Sequence, residues 1–300
     1  RPPPPPACDS QGTPLLSAPV TAAAPGCARR NRAASALAVL AIAALACGSA
    51  GCAARRSKTQ PAPPPDQVYR MAMEKMARKR YYAARTLLQG VLPRVPPADR
   101  ELLPKIQMGI ADSFFKERGQ LNYGEALNAY RTFLTYYPNH EEADRAQFMV
   151  GMSLFQQALS PDRDQALTYQ AISEFRKVET VYPTSSHIEL ANRKIVECHD
   201  RLAEHERLVG RFYQKRRKYN AAIDRYRTIL DRYPHYSQSS LVLFDLGKCL
   251  LLVGNRPEAE EFFSRLFQDQ PSGKPAARAR ELLAEFDRDR EKLSRKDRKE

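Results

Sequence analysis

From Asp66 onward, apolar residues recur at helical spacing, and one pattern returns five times. An Ala is followed at +4 by a large apolar or aromatic residue, at +7 by an aliphatic residue or Phe, and at +12 by Pro. It reads Ala84, Leu88, Val91, Pro96; then Ala126, Tyr130, Phe133, Pro138; then Ala171, Phe175, Val178, Pro183. It continues as Ala222, Tyr226, Ile229, Pro234 and ends as Ala259, Phe263, Leu266, Pro271. Positions +4 and +7 share a helical face with the Ala, so each unit carries an apolar stripe. The small Ala lets a neighbouring helix come close, and the Pro ends the helix and starts the next turn. No alternation of apolar and polar residues persists as a strand would. The spacing predicts an all-α chain.

Partner helices are legible too. Gly210 lies twelve residues before Ala222 with Tyr213 beside it, and Gly247 lies twelve before Ala259 with Leu250 beside it. Both segments resemble the first helix of a tetratricopeptide repeat, and the Ala-to-Pro half resembles the second. The signature Ala residues are 42, 45, 51 and 37 residues apart, longer than the usual repeat of about 34. In the third unit Gly151 stands 20 residues before Ala171, which places an inserted loop at Ser160-Pro161-Asp162-Arg163-Asp164. The expected architecture is a tetratricopeptide-repeat solenoid of about five helix-turn-helix pairs over residues 66–286. Leu282, Leu283 and Phe286 suit a capping helix, and residues 287–300 form a charged tail, helical or disordered.

The first 65 residues follow other rules. Residues 1–51 read as an upstream segment and a lipoprotein signal peptide: Arg29, Arg30 and Arg32, the apolar run Ala36 to Ala46, then small residues. Eleven apolar residues reach only about 16 Å as a helix, roughly half a bilayer core. Ser49-Ala50-Gly51-Cys52 resembles a bacterial lipobox, with Ser49 where Leu is usual, so lipidation is expected at Cys52. Cys47, after Ala44-Leu45-Ala46, is the competing site. Residues 52–65 are expected to form a lipidated Pro-rich tether, whose thirteen residues after the Cys would reach on the order of 40 Å in polyproline form.

Charge adds a constraint on partners. The formal net charge is +14, and hydrophobic residues make up 43%, so an acidic disordered chain is excluded. Nucleic acid, an anionic membrane surface and an acidic protein partner all remain compatible. Nucleic-acid binding would need a continuous basic stripe with stacking aromatics in a chain that is not secreted, so none is expected. Cys198 and Cys249 read as free, buried, core-filling thiols, and no CxxC exists. His205-Glu206-Arg207-Leu208-Val209 begins like a zinc-protease motif but has Val209 at the second ligand. Gly247-Lys248-Cys249 lacks the upstream Gly and the hydroxyl residue of a phosphate-binding loop. No enzyme, no metal and no cofactor are expected.

Several segments carry more than a generic repeat requires. They are Val68-Tyr69 through Ala72, Asp162-Arg163-Asp164, Tyr182-Pro183-Thr184-Ser185, and Asp200-Arg201-Leu202-Ala203 with Glu206. Phe212-Tyr213 and Tyr219-x-Ala221-Ala222-Ile223 continue the last of these. Together they resemble the BamD family of outer-membrane lipoproteins. The resemblance implies a non-enzymatic component of the β-barrel assembly machinery, lipid-anchored on the periplasmic face of the outer membrane. Its implied partners are the barrel-inserting outer-membrane protein (BamA-like), accessory lipoproteins and unfolded outer-membrane protein clients. The alternative is a cell-envelope repeat scaffold of the Tol-Pal or peptidoglycan and cell-division type.

Candidate sites come from the register of the first helices, which line the concave face of such stacks. Tyr69, Met73 and Met76, then Met108 and Phe115, then Phe148, Met152 and Phe155 would make a client groove of Met and aromatic side chains. Met repacks readily around varied apolar shapes; the competing account is ordinary inter-helix core. Arg207 and Arg211 fall on the same register in the fourth unit, ahead of Lys215-Arg216-Arg217-Lys218. These, with Arg201 as an ion-paired contact, would dock an acidic partner. The competing account is a solvated helix end, favoured near the negative pole of the helix dipole.

Overall fold

The computed structural model describes residues 62–297; residues 1–61, including both candidate lipidation sites Cys47 and Cys52, lie outside them. The described chain is built from eleven α-helices in five antiparallel hairpins and a closing helix. The hairpins are α1 (Pro65–Ala77) with α2 (Tyr81–Val91), α3 (Leu102–Glu117) with α4 (Gln120–Tyr136), and α5 (Ala143–Gln157) with α6 (Ala166–Val181). They continue with α7 (Ile188–Lys215) and α8 (Tyr219–Arg232), then α9 (Ser239–Leu252) and α10 (Arg256–Asp269). Helix α11 (Lys274–Asp297) packs on α9 and α10.

The repeated pattern fills the interior. All five signature Ala residues are fully buried, and the +4 and +7 residues beside them are at most 1% exposed. Each helix packs against its neighbours in sequence, so the core forms as a series of adjoining clusters. The second helices of units two to five stop two residues before the +12 Pro. Tyr137, Tyr182, Tyr233 and Gln270 stand between helix and Pro, each donating its amide to the carbonyl four residues earlier. In the first unit a short 3₁₀ turn, Leu92–Arg94, intervenes before Pro96.

Close approach within three hairpins depends on glycine. A Cβ added at Gly151 would lie 2.6 Å from the Phe175 ring, at Gly210 2.6 Å from Tyr226, and at Gly247 2.5 Å from Phe263. Each of these aromatics is the +4 residue of its unit, and its ring packs directly on bare backbone.

Two features depart from a uniform stack. Helix α7 has 28 residues, about twice the length of its neighbours. Its first half packs with α6 and its second with α8, so the last two hairpins are shifted along the helix axis. The expected inserted loop falls between α5 and α6, where the buried Gln165 side chain donates to the carbonyls of Ser160 and Arg163 and accepts from Thr168. Helix α11 runs unbroken through the expected cap into the charged tail. Leu282, Leu283 and Phe286 pack on the last core cluster, and Ala276 and Ala279 are fully buried.

Candidate functional site

The eight residues of the expected groove do not converge on one cavity. Met108 is 4% exposed and belongs to the core between α3, α4 and α5. The groove assignment is therefore wrong for Met108: the register that aims a first-helix residue inward also places it against the next hairpin. Tyr69, Met73 and Met76 are half-buried along α1, packed on the first core cluster. Phe148 lies 5.6 Å from the rings of both Phe175 and His187, half-buried, and Met152 packs on the same cluster. Phe115 lies differently. It stands 5.4 Å from Tyr123 in a cleft of about 700 Å³ shared with Lys79, Tyr81, Lys116, Arg118 and Gln156.

Phe155 is the point where the two expected sites meet. The Arg201 guanidinium lies 4.6 Å from its ring centre and donates to its carbonyl at 3.3 Å, while the Lys194 ammonium is 5.0 Å from the same ring. Arg201 has no ion pair among the described residues. Within this chain Arg201 makes cation–π contact across the α5–α7 boundary.

Arg207 also departs from expectation. It is 9% exposed, and its guanidinium donates to both oxygens of Glu204 at 2.6 and 2.7 Å. Tyr236 donates to the same carboxylate. Burial alone would raise the Glu204 pKa, but the hydrogen bonds from Arg207 and Tyr236 outweigh it and hold the carboxyl below its ordinary range. Arg207 is thus committed to its own fold, because a half-buried carboxylate one helical turn away claims it.

Arg211 is exposed and lines a cleft of about 520 Å³ between α7, α9 and α11. Around that cleft stand Lys215, Lys248 and Arg278, over a floor that includes Tyr219, Leu241 and Phe244. Arg211, Lys215 and Lys248 have no ion pair among the described residues, and Arg278 rests over the Phe244 ring at 4.7 Å. The acidic member is Asp245, whose carboxyl is pushed above its ordinary range by burial despite the surrounding cations. Lys248, Phe244 and Arg278 lay outside sequence reasoning, which stopped at the cations of one helix. The spacing of Phe244 and Lys248, one turn apart on the first helix of the fifth unit, was the available signal.

Burial pushes the Cys198 and Cys249 thiols up to about 12; both are free, in different core clusters. Among the described residues no group of His, Cys, Asp and Glu is arranged to hold a metal ion, and no helix is long and apolar enough to cross a membrane.

A stack of helix hairpins with clefts along its first helices defines a tetratricopeptide-repeat binding scaffold. The family model described as YfiO, outer membrane lipoprotein, matches residues 61–262, and the chain belongs to that non-catalytic family. The outer membrane protein assembly factor BamD of Caulobacter vibrioides is 33% identical over 138 residues, covering 46% of this chain and 45% of that protein. BamD of Rickettsia prowazekii is 24% identical over 236 residues, covering 79% of this chain and 92% of the relative. Among solved structures, the TPR2AB domain of yeast Sti1 in its pHSP90 complex matches with a TM-score of 0.39 and 12% identity. That match covers 74% of this chain and 85% of the other.

Proposed function

We propose that this protein is an assembly factor for outer-membrane proteins, acting by binding and without covalent chemistry. Membership of the outer membrane lipoprotein family and relatives named as BamD support the role. In this reading the barrel-inserting protein docks through acidic side chains on the cleft between α7, α9 and α11. The observation that carries it is the group of cations without an ion pair among the described residues, Arg211, Lys215 and Lys248, over an apolar floor. Anionic side chains gain Coulomb energy there, and apolar ones can seat on Leu241 and Phe244. Unfolded clients would engage the half-buried apolar side chains of the N-terminal first helices, Tyr69, Met73 and Met76 on α1 and Phe148, Met152 and Phe155 on α5. A lipid on Cys52 would confine both events to the periplasmic face of the outer membrane, raising the effective concentration of each partner.

Affinity purification from the detergent-solubilised envelope tests the reading. Recovery of a barrel-inserting protein with the full chain is expected. With Arg211→Glu and Lys248→Glu together, that recovery should fall at least tenfold while helicity is kept. Recovery of Tol or peptidoglycan-binding proteins in its place would sink the assembly role and leave the fold standing.

A further inference from the structure

In a stack of antiparallel hairpins, the turns within hairpins all lie along one edge, and the turns between hairpins along the other. The structure bears this out at several joints. Gln120, just after the second turn, donates to the carbonyl of Gln157 at the third, and the His205 ring contacts the Pro161 carbonyl of that same loop. The cleft around Phe115 joins the first turn to the second.

This edge is cationic at three of its five turns. The first turn carries Arg78-Lys79-Arg80, the second Lys116 and Arg118, and the fourth four consecutive cations from Lys215 to Lys218. None of these has an ion pair among the described residues. The third turn instead carries Asp162 and Asp164 around Arg163, and at the fifth Arg256 is paired with Glu260 and Asp287. The opposite edge mixes signs, with Arg94 and Arg100 near Asp99 and Glu101, and Glu141 and Glu142 at the next turn. Helix α7 continues ten residues past the His205 contact, about 15 Å, so the four-cation turn leads.

Fold stability does not explain these cations. Lys79 and Arg217 have φ of 58° and 59°, a left-handed conformation that favours glycine, and the fifth turn uses Gly254 at φ 85°. Arg80 and Lys218 are the residues preceding the first turns of α2 and α8, where the positive pole of the helix disfavours a cation. Apolar side chains are exposed beside all five turns: Tyr82, Leu121, Leu159, Phe212 and the Leu252-Val253 pair. Leu121 is 78% exposed and Tyr82 69%.

We infer that this edge rests on an anionic lipid surface, with the cations on phosphate headgroups and the turn-borne apolar side chains in the interfacial layer. Long cationic side chains keep their heads in the polar layer while their stems and neighbouring apolar groups enter it. The arrangement favours lipid over an acidic protein because its exposed apolar groups recur from turn to turn along the edge, with one local cluster where Phe212, under the Arg216 guanidinium, shares a cleft with Leu208, Val209 and Tyr213. A protein hot spot gathers them in one desolvated patch. The chain's own segment before residue 62 is itself basic, so it cannot neutralise the edge. Lys215 borders both this edge and the α7–α9–α11 cleft; the other turn cations carry the inference, which therefore does not depend on which protein docks there.

The chain contains no Trp, so one introduced Trp is a unique reporter. Leu121→Trp and Tyr136→Trp place it at opposite ends of the same helix, α4, both at exposed positions. The full-length chain would be added to vesicles of phosphatidylcholine, alone or with one lipid in three replaced by phosphatidylglycerol, some carrying brominated acyl chains. The reporter at 121 is expected to shift blue and be quenched only with phosphatidylglycerol, and the reporter at 136 to stay unchanged. Adding Lys79→Gly, Arg80→Glu, Arg217→Gly and Lys218→Glu should lower the apparent vesicle affinity at position 121 at least tenfold. Each of those changes relieves a backbone or dipole conflict, so thermal stability should hold or rise and unfolding cannot mimic the loss. Equal responses at 121 and 136, or a response at 121 indifferent to lipid charge or to the four substitutions, would overturn the inference. So would a response at 121 to the purified barrel-inserting protein but not to anionic vesicles, which would make this edge a protein interface.

Discussion

At the scale of single residues, this fold depends on pairs in which one member is conspicuously small. Gly247 faces Phe263 and Gly210 faces Tyr226 so closely that a single methyl group must displace a ring packed on all sides. Overpacking of that kind costs typically about 1–3 kcal/mol. Gly247→Ala is expected to lie in that range by urea unfolding, although Ala is the better helix former by about 1 kcal/mol. Gly90, whose added Cβ would meet nothing within 4 Å, supplies the contrast. Gly90→Ala should be neutral or stabilising in the same measurement, and equal losses at both positions would refute the packing account.

Between elements, polar ties add to the apolar stripes at the turns that join one hairpin to the next. Asp144, in the first turn of α5, accepts from the Ser185 hydroxyl at 2.6 Å and from the Arg145 amide at 2.6 Å, and meets the His187 ring at 3.3 Å. This ties α5 to the turn between α6 and α7. Burial by itself would raise the Asp144 pKa; these hydrogen bonds outweigh it and leave the carboxyl below its ordinary range. A depressed carboxylate stabilises the fold above its unfolded pKa, and that contribution is lost as pH falls through the folded value. Asp144→Asn should therefore be less stable than the parent at neutral pH. The gap should close in acid, below the ordinary value of 3.8, as thermal unfolding across pH would register. A gap that stays constant down to that acid range would mean the ionised carboxylate is not what holds the turn. A second tie, in which Tyr130 and Arg145 both bond Asp112, joins α3, α4 and α5.

For the whole molecule, a one-dimensional stack implies that damage stays local. Each hairpin is held by its neighbours, and the last hairpin is covered on its outer side by α11 through Leu282, Leu283 and Phe286. Replacing Leu282 and Phe286 together by Asp should raise amide hydrogen exchange in α9 and α10. Exchange in α1 to α4 should be unchanged, because no shared core links the two ends. A uniform rise along the chain would instead mean that the hairpins unfold as one cooperative unit.

The repeat was legible because helical period, a small residue and a terminating Pro act locally, and five copies at one spacing leave little room for another architecture. The same locality explains the inserted loop and the cap. Helix α7 was less legible: no Pro or Gly interrupts Ile188 to Val209, yet its length matters only through the shift it imposes on the last two hairpins. The groove was partly misread for a related reason. Met108 and Phe115 share a helix and a chemistry, but only packing against the next hairpin decides that one is core and the other opens on a cleft. Arg207 and Arg211 differ likewise, since a carboxylate three residues before Arg207 claims one guanidinium and leaves the other free of any described ion pair. The sequence alone determined the helical class, the repeat count and which faces are apolar, because those follow from spacing along one chain. Which charges are spent and which remain open was decided by the tertiary structure, because a side chain's partners come from helices distant in sequence and its exposure from what packs above it.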